Sequence, residues 1–199
     1  FIEFKLDQLE AADHTFKEIL KSHPQHYEAM YFRGFTNLKQ KNFEIGWELF
    51  DHRWNSPSFL SKRYNFEMPE WNGSSRGERL LIWDEQGPGD QIMCSLFFNK
   101  PLGNFKEIII LCDPRLQGIF SRCFDKNITF LRNDYDIKKI KYDAHLSMFG
   151  LLKYYAKQDQ DPKTNEVILK FDNNEVNRIK GKLKGEKKIC GISWFSENN

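Results

Sequence analysis

The chemistry-bearing residue types of this chain concentrate in Leu80-Leu81-Ile82-Trp83-Asp84-Glu85-Gln86-Gly87-Pro88-Gly89-Asp90-Gln91-Ile92-Met93. An apolar run breaks into a glycine-rich turn, then a carboxylate, then a new apolar period. That order predicts a buried strand, a tight loop and the start of a helix. Open α/β sheets bind ligands at the carboxyl ends of their strands, against helix N-termini. Gly87 and Gly89 supply backbone freedom closed to other residues. Asp90 falls where loop meets helix, either as a cap or as a carboxylate aimed into a cleft. A carboxylate in a cleft can take a proton from a substrate hydroxyl. Glu85 and Gln86 lie on the same strand end and either bind substrate hydroxyls or bond the loop's own backbone.

The elements that must hold this loop follow from periodicity. Strands are expected at 79–84, 107–112, 128–131, 143–146 and 188–194. Helices are expected near 90–99, 114–123, 148–157 and 173–184. Continuous apolar strands alternating with amphipathic helices point to a parallel sheet covered on both faces. Before it, residues 6–54 carry helical spacing through Leu9, Ala12, Phe16 and Ile19, then Tyr27, Tyr31, Gly34 and Leu38, then Phe43, Gly46, Trp47 and Phe50. Ala12 to Gly46 and Phe16 to Phe50 are each 34 residues apart, the period of the tetratricopeptide repeat. Residues 55–78, with Pro57, Pro69 and Asn72-Gly73-Ser74-Ser75, read as a connector. Trp47, Trp54 and Trp71 read as packing anchors between the helices and the sheet.

Composition bounds the function. The 199 residues are 40% hydrophobic and 29% charged with net charge +2, an ordinary soluble balance that gives no electrostatic case for nucleic acid. No apolar stretch approaches the ~18 residues of a membrane span, and no signal peptide is visible. A cytoplasmic protein is the expectation. Because the chain starts at Phe1, it is expected to be a fragment or a processed product. Cys94, Cys112, Cys123 and Cys190 form no C-x-x-C pair and read as buried reduced thiols. The five histidines do not cluster with them, so zinc is not expected. His145 ends a strand and is either a core histidine or a group entering the cleft.

Five blocks in one order carry a family likeness. They are Gly46-Trp47-Glu48-Leu49-Phe50-Asp51-His52-Arg53-Trp54, Pro69-Glu70-Trp71-Asn72-Gly73, Trp83 to Ile92, Tyr142 to Met148, and Gly191-Ile192-Ser193-Trp194. Together they resemble bacterial proteins in which tetratricopeptide repeats precede a GT-B glycosyltransferase module similar to heptosyltransferases. Pro88 departs from the leucine usual there and stiffens the loop. The resemblance implies a Rossmann-like α/β fold behind repeat helices. It implies repeats over 1–54, a connector over 55–78, the acceptor-side domain over 79–186 and the first strand of a second domain over 187–199. It implies Asp90 as catalytic base, with Glu85, Gln86, Gly87, Gly89 and Ser193 binding substrates, Ser193 toward a donor phosphate. The donor is a nucleotide sugar, no metal or other cofactor is expected, and the repeats contact a protein partner or acceptor. Most of the donor-binding domain lies beyond Asn199 in this reading, so these residues alone are expected not to turn over. A non-enzymatic interaction module with a degenerate Rossmann-like domain is the alternative. A nucleotide-binding P-loop is disfavoured, because no Lys-Ser/Thr follows the glycines.

Overall fold

A computed structural model describes residues 1–61, 63–156, 169–183 and 190–191. The strand expected at 188–194 and Ser193 therefore lie outside the described residues, apart from Cys190 and Gly191. The chain opens with helices α1 (Ile2–Lys5), α2 (Leu9–Ser22), α3 (Tyr27–Lys39) and α4 (Phe43–Phe50), followed by a 3-10 turn over Asp51–Asn55. In α2 the buried Ala12 and Phe16 are one helical turn apart and share a face. Helix α2 stops at Ser22, just ahead of Pro24, which disfavours helical geometry in the residue before it. His26 starts α3, its Nδ1 accepting the Ala29 N–H at 3.2 Å.

Helices α3 and α4 meet backbone to backbone through glycine. A Cβ on Gly34 would stand 2.7 Å from the Phe50 nitrogen and 3.0 Å from the Leu49 carbonyl carbon. Gly46 packs equally tightly, with Leu38 Cδ2 2.7 Å from where its Cβ would be. That approach lets Tyr31, Phe35 and Phe50 interlock as a ring cluster.

The sheet contains four parallel strands in the order β3-β2-β1-β4: β1 (Gly77–Trp83), β2 (Phe105–Cys112), β3 (Ile128–Arg132) and β4 (Ala144–Ser147). The helices between and after them are α5 (Pro88–Cys94), α6 (Pro114–Cys123), α7 (Met148–Tyr155) and α8 (Asn173–Lys182). The four described strands fall where the apolar runs placed them, and β1 begins within the predicted connector, at Gly77. The predicted 90–99 helix is shorter. Ser95 Oγ donates to the Ile92 carbonyl at 2.6 Å, and the chain tightens into a 3-10 turn over Ser95–Phe97.

Side chains alternate across β1 and β2 and divide the core in two. Leu80, Ile82, Ile108 and Ile110 face a large cluster that includes Phe50, Cys94, Phe120, Phe149 and Leu151 from the helices. Leu81, Trp83, Ile109 and Leu111 face a smaller cluster formed with Trp54, Tyr64, Phe66, Ile137, Ile140 and Tyr142. Both faces are covered, as the unbroken apolar strands require, but the second is covered by connector and turn residues rather than by helices. Connectivity explains this. The chain moves one way through β1, β2 and β3 with α5 and α6 on one face, then reverses to reach β4. A crossover of the same hand must then pass over the opposite face.

The aromatic anchors join these parts. Trp71 Nε1 donates to the Ser75 carbonyl at 2.9 Å, and its ring packs on Phe105 and Tyr154. Trp47 Nε1 donates to the Ala156 carbonyl at 3.1 Å, and Phe50 stacks on Phe149. The Trp71 N–H donates to the His145 carbonyl and the His145 N–H to the Pro69 carbonyl, so the connector extends the hydrogen bonding beside β4. The cysteines depart from the expectation of uniform burial: Cys94 and Cys112 are buried, Cys123 is half-buried and Cys190 is exposed.

The glycine contact makes a direct test. Gly34→Ala forces a methyl group against rigid backbone of α4, at a cost of about 1–3 kcal/mol. Thermal melts should show Tm lowered by roughly 2–4 °C per kcal/mol; an unchanged Tm would refute the close crossing.

Candidate functional site

The loop after β1 is shaped by residues other than its glycines. Gln86 carries the left-handed backbone, with φ 62°. Gly87 has φ −84° and ψ 171°, angles open to any residue. A Cβ on Gly87 would sit 3.6 Å from Asp90 Oδ2, and one on Gly89 would meet nothing within 4 Å. The expectation that Gly87 and Gly89 bend the loop is thus corrected: the strained position is Gln86, and the two glycines keep the loop surface bare. Pro88 is the first helical residue of α5, where its missing N–H costs nothing. Asp90 is the third helical residue, and its Oδ2 accepts the Gly87 N–H at 3.1 Å. It therefore closes the helix start from inside rather than as the N-cap. Its Oδ1 accepts no hydrogen bond among the described residues, and Asp90 lines an open cleft.

Glu85 is turned away from solvent. Its side chain has 0% exposure and that of Arg53 only 1%. Arg53 Nε donates to Glu85 Oε2 at 2.9 Å and Nη2 to Oε1 at 2.9 Å, a two-pronged pair. The Phe149 N–H donates to Oε1 at 3.1 Å. The remaining guanidinium protons reach the Phe50 carbonyl at 3.2 Å, Asp51 Oδ1 at 3.2 Å and Ser147 Oγ at 3.1 Å. The rings of Phe50 and Trp54 hold the cation at 4.6 and 4.5 Å. Of the two sequence readings of Glu85, the geometry is that of a structural carboxylate. It clamps the loop to the end of the helical segment and to the start of α7.

The cleft has a volume of about 570 Å³ and lies at the carboxyl end of β1. Strand order reverses between β1 and β4, the kind of position at which open α/β sheets bind ligands. One wall is the loop, with Asp84, Gln86, Gly87 and Asp90; the other is Tyr31 from α3 with Phe59, Leu60 and Tyr64 from the connector. Asp84 is held by the Tyr64 hydroxyl at 2.8 Å and by Asn133 Nδ2 at 2.8 Å. Burial first, and then the Asp84 charge, push the Tyr64 hydroxyl pKa up, so it stays a donor. Gln86 Nε2 is buried with no hydrogen-bond partner among the described residues. Gln91 Oε1, from α5, accepts the Asp113 N–H at 2.9 Å and ties the loop helix to the end of β2.

The sequence brought Asp90, Gln86 and Gly87 to this cleft, and they are there together; Gly89 lies alongside in the first turn of α5. Arg53, Tyr31, Asp84, Tyr64 and Asn133 were missed. Arg53 had a signal: an arginine between Phe50 and Trp54 at a helix end is destined for burial and needs a carboxylate. Nothing in spacing names Glu85, 32 residues away, as that carboxylate. His145 is a core histidine. It stacks on Phe66 with ring centroids 3.7 Å apart, and its Nδ1 accepts from Trp83 Nε1 at 3.2 Å. Desolvation, with a smaller contribution from the Arg63 charge, lowers its pKa to about 4. Among the described residues no group of His, Cys, Asp and Glu is arranged to hold a metal, and no helix is long and apolar enough to cross a membrane.

Two outcomes follow from these contacts. Arg53→Met leaves a buried carboxylate unpaired and should cost about 3–5 kcal/mol in urea unfolding, while the double change with Glu85→Leu should recover much of it. Additive losses would refute the coupling. For His145 the folded pKa lies below the unfolded one, so its contribution is intact above about pH 6.5 and is lost as pH falls toward 4. Wild type should lose up to about 1.4 kcal/mol per pH unit across that window relative to His145→Gln, which keeps an acceptor for Trp83 and does not titrate. Parallel pH–stability curves for the two proteins would remove the assignment.

Among known proteins, the chain is similar to protein FlbA of Caulobacter vibrioides, 31% identical over 135 residues. The match covers 63% of this chain and 22% of FlbA, so the chain spans about a fifth of that relative. No family model matches, and no solved structure matches significantly.

Proposed function

We propose that this chain is the acceptor-side part of a glycosyltransferase that moves a sugar from a nucleotide-sugar donor to a protein or glycan acceptor. Its helices serve as tetratricopeptide-like partner contacts in this reading. One observation carries it. At the switch point of a parallel sheet, Asp90 faces an open cleft with one carboxylate oxygen anchored on the Gly87 N–H and the other unbonded among the described residues. Anchoring fixes the carboxylate's direction, and the unbonded oxygen has a lone pair with which to take a proton from an acceptor hydroxyl. Gly87 and Gly89 keep side chains away from the approach path, and Gln86 offers an unused amide. Glu85 acts through the loop: it is a positioning residue, held by Arg53.

The test is transfer by the full-length gene product across a panel of labelled nucleotide sugars. Asp90→Asn should lower kcat by about 10²–10⁴-fold with a small change in acceptor KM. Full activity in that variant would overturn the assignment of Asp90. A second reading, a protein-interaction module without transfer, is favoured by a mostly apolar groove of about 340 Å³ on the helices, lined by Phe16, Ile19 and Phe32. It predicts no transfer from any donor in the same panel.

A further inference from the structure

The hydrogen-bonding groups of the cleft are unspent in a particular pattern. Tyr31 is 7% exposed and lines the cleft, and its hydroxyl makes no hydrogen bond among the described residues. Burial raises its pKa to about 12, so the hydroxyl keeps its proton to donate. Gln86 Nε2 is a second donor without an acceptor among the described residues. On the accepting side, among the described residues Asp90 Oδ1 is unbonded and each Asp84 oxygen receives a single hydrogen bond, although a carboxylate oxygen can take two. No lysine or arginine lines the cleft among the described residues, and Arg53, behind Glu85, is committed to that carboxylate.

Three ligand chemistries can be weighed against this pattern. A phosphate or carboxylate only accepts; it would satisfy Tyr31 and Gln86 but would face Asp84 and Asp90 with no cation among the described residues between them. An ammonium only donates; it would suit the two carboxylates and leave both donors orphaned. A hydroxyl group donates and accepts, so several hydroxyls on one ring can satisfy all four groups. The rings of Phe59 and Tyr64 add flat apolar surface for the C–H face of such a ring. The volume is in the range of small-molecule sites. A serine or threonine side chain has one hydroxyl and would leave most of these groups unmatched.

We infer that this cleft binds an uncharged sugar ring, with Tyr31 and Gln86 as donors and Asp84 and Asp90 as acceptors, and that it rejects phosphorylated or acidic sugars. Its role as the acceptor site rests on the transferase reading; the binding itself does not.

Saturation-transfer NMR on the full-length gene product tests it, using methyl glucoside, methyl galactoside and N-acetylglucosamine, each beside its 6-phosphate, and a serine-containing peptide. At least one neutral sugar should bind, with its 6-phosphate at least about tenfold weaker. Tyr31→Phe, which removes only an unpartnered hydroxyl, should keep the wild-type Tm and weaken that sugar by roughly threefold to tenfold. Absence of neutral-sugar binding, equal or tighter binding of the phosphates, binding of the peptide alone, or unchanged affinity in Tyr31→Phe would each overturn the inference. Sugar binding without transfer from any nucleotide sugar would overturn the transferase reading and leave the cleft assignment standing. Transfer to an acidic acceptor without neutral-sugar binding would do the reverse.

Discussion

The buried pair between Arg53 and Glu85 is the constraint on which the rest of the arrangement depends. Burying two full charges is expensive, and their mutual attraction offsets that cost only with near-ideal geometry and complete hydrogen bonding. Here both conditions are met: two parallel bonds at 2.9 Å, a backbone N–H on the carboxylate, and three further acceptors and three aromatic faces around the guanidinium. Such a pair contributes little net stability over apolar residues of the same volume. What it does is connect: one pair of side chains ties the end of the helical segment, the loop after β1 and the start of α7 to each other.

The loop inherits its precision from that pair. Glu85 is fixed, so the turn falls on Gln86, whose left-handed backbone directs the chain into α5. The bond from Gly87 to Asp90 then sets the carboxylate at the cleft. On the far side, Asp84 precedes Glu85 and is held by Tyr64 and Asn133. The two acids are thus oriented independently: one by the helix start, the other by the connector and the residue after β3. The polar groups of such a cleft are already held by protein contacts, and preorganised groups favour binding because little ordering is left to be done.

Much of this was legible in the sequence. The four described strands follow from apolar runs such as Ile108–Cys112, buried on both faces and therefore unbroken by polar residues. The spacing of Gly34 and Gly46 encoded the close helix crossing, because only packing demands small residues there. The loop's position at a strand end was likewise readable from the change of period at Gln86. What could not be read was pairing at a distance. Arg53 with Glu85, and Asp84 with Asn133, are 32 and 49 residues apart, and no periodicity connects them. The glycines misled for a related reason: composition marks where a turn is allowed, whereas the tertiary anchor on Glu85 decides which residue bends.

The covering of the sheet's second face by Trp54, Tyr64 and Phe66 bears on how such a chain can be recombined. Tyr31 and Phe50 belong to the same core as the strands, whereas Ala12, Phe16 and Ala29 form a separate cluster. Ala29 lies on α3, so that helix belongs to both: it packs on α2 through Ala29 and on the sheet's core through Tyr31. Removing α2 would uncover Ala29 and Phe32 and free Arg33 and Asn37 from Asp13, but would leave the strands covered. A cut at the connector would strip Trp83 and one wall of the cleft together, so α3, α4 and the connector travel with the sheet as one heritable piece.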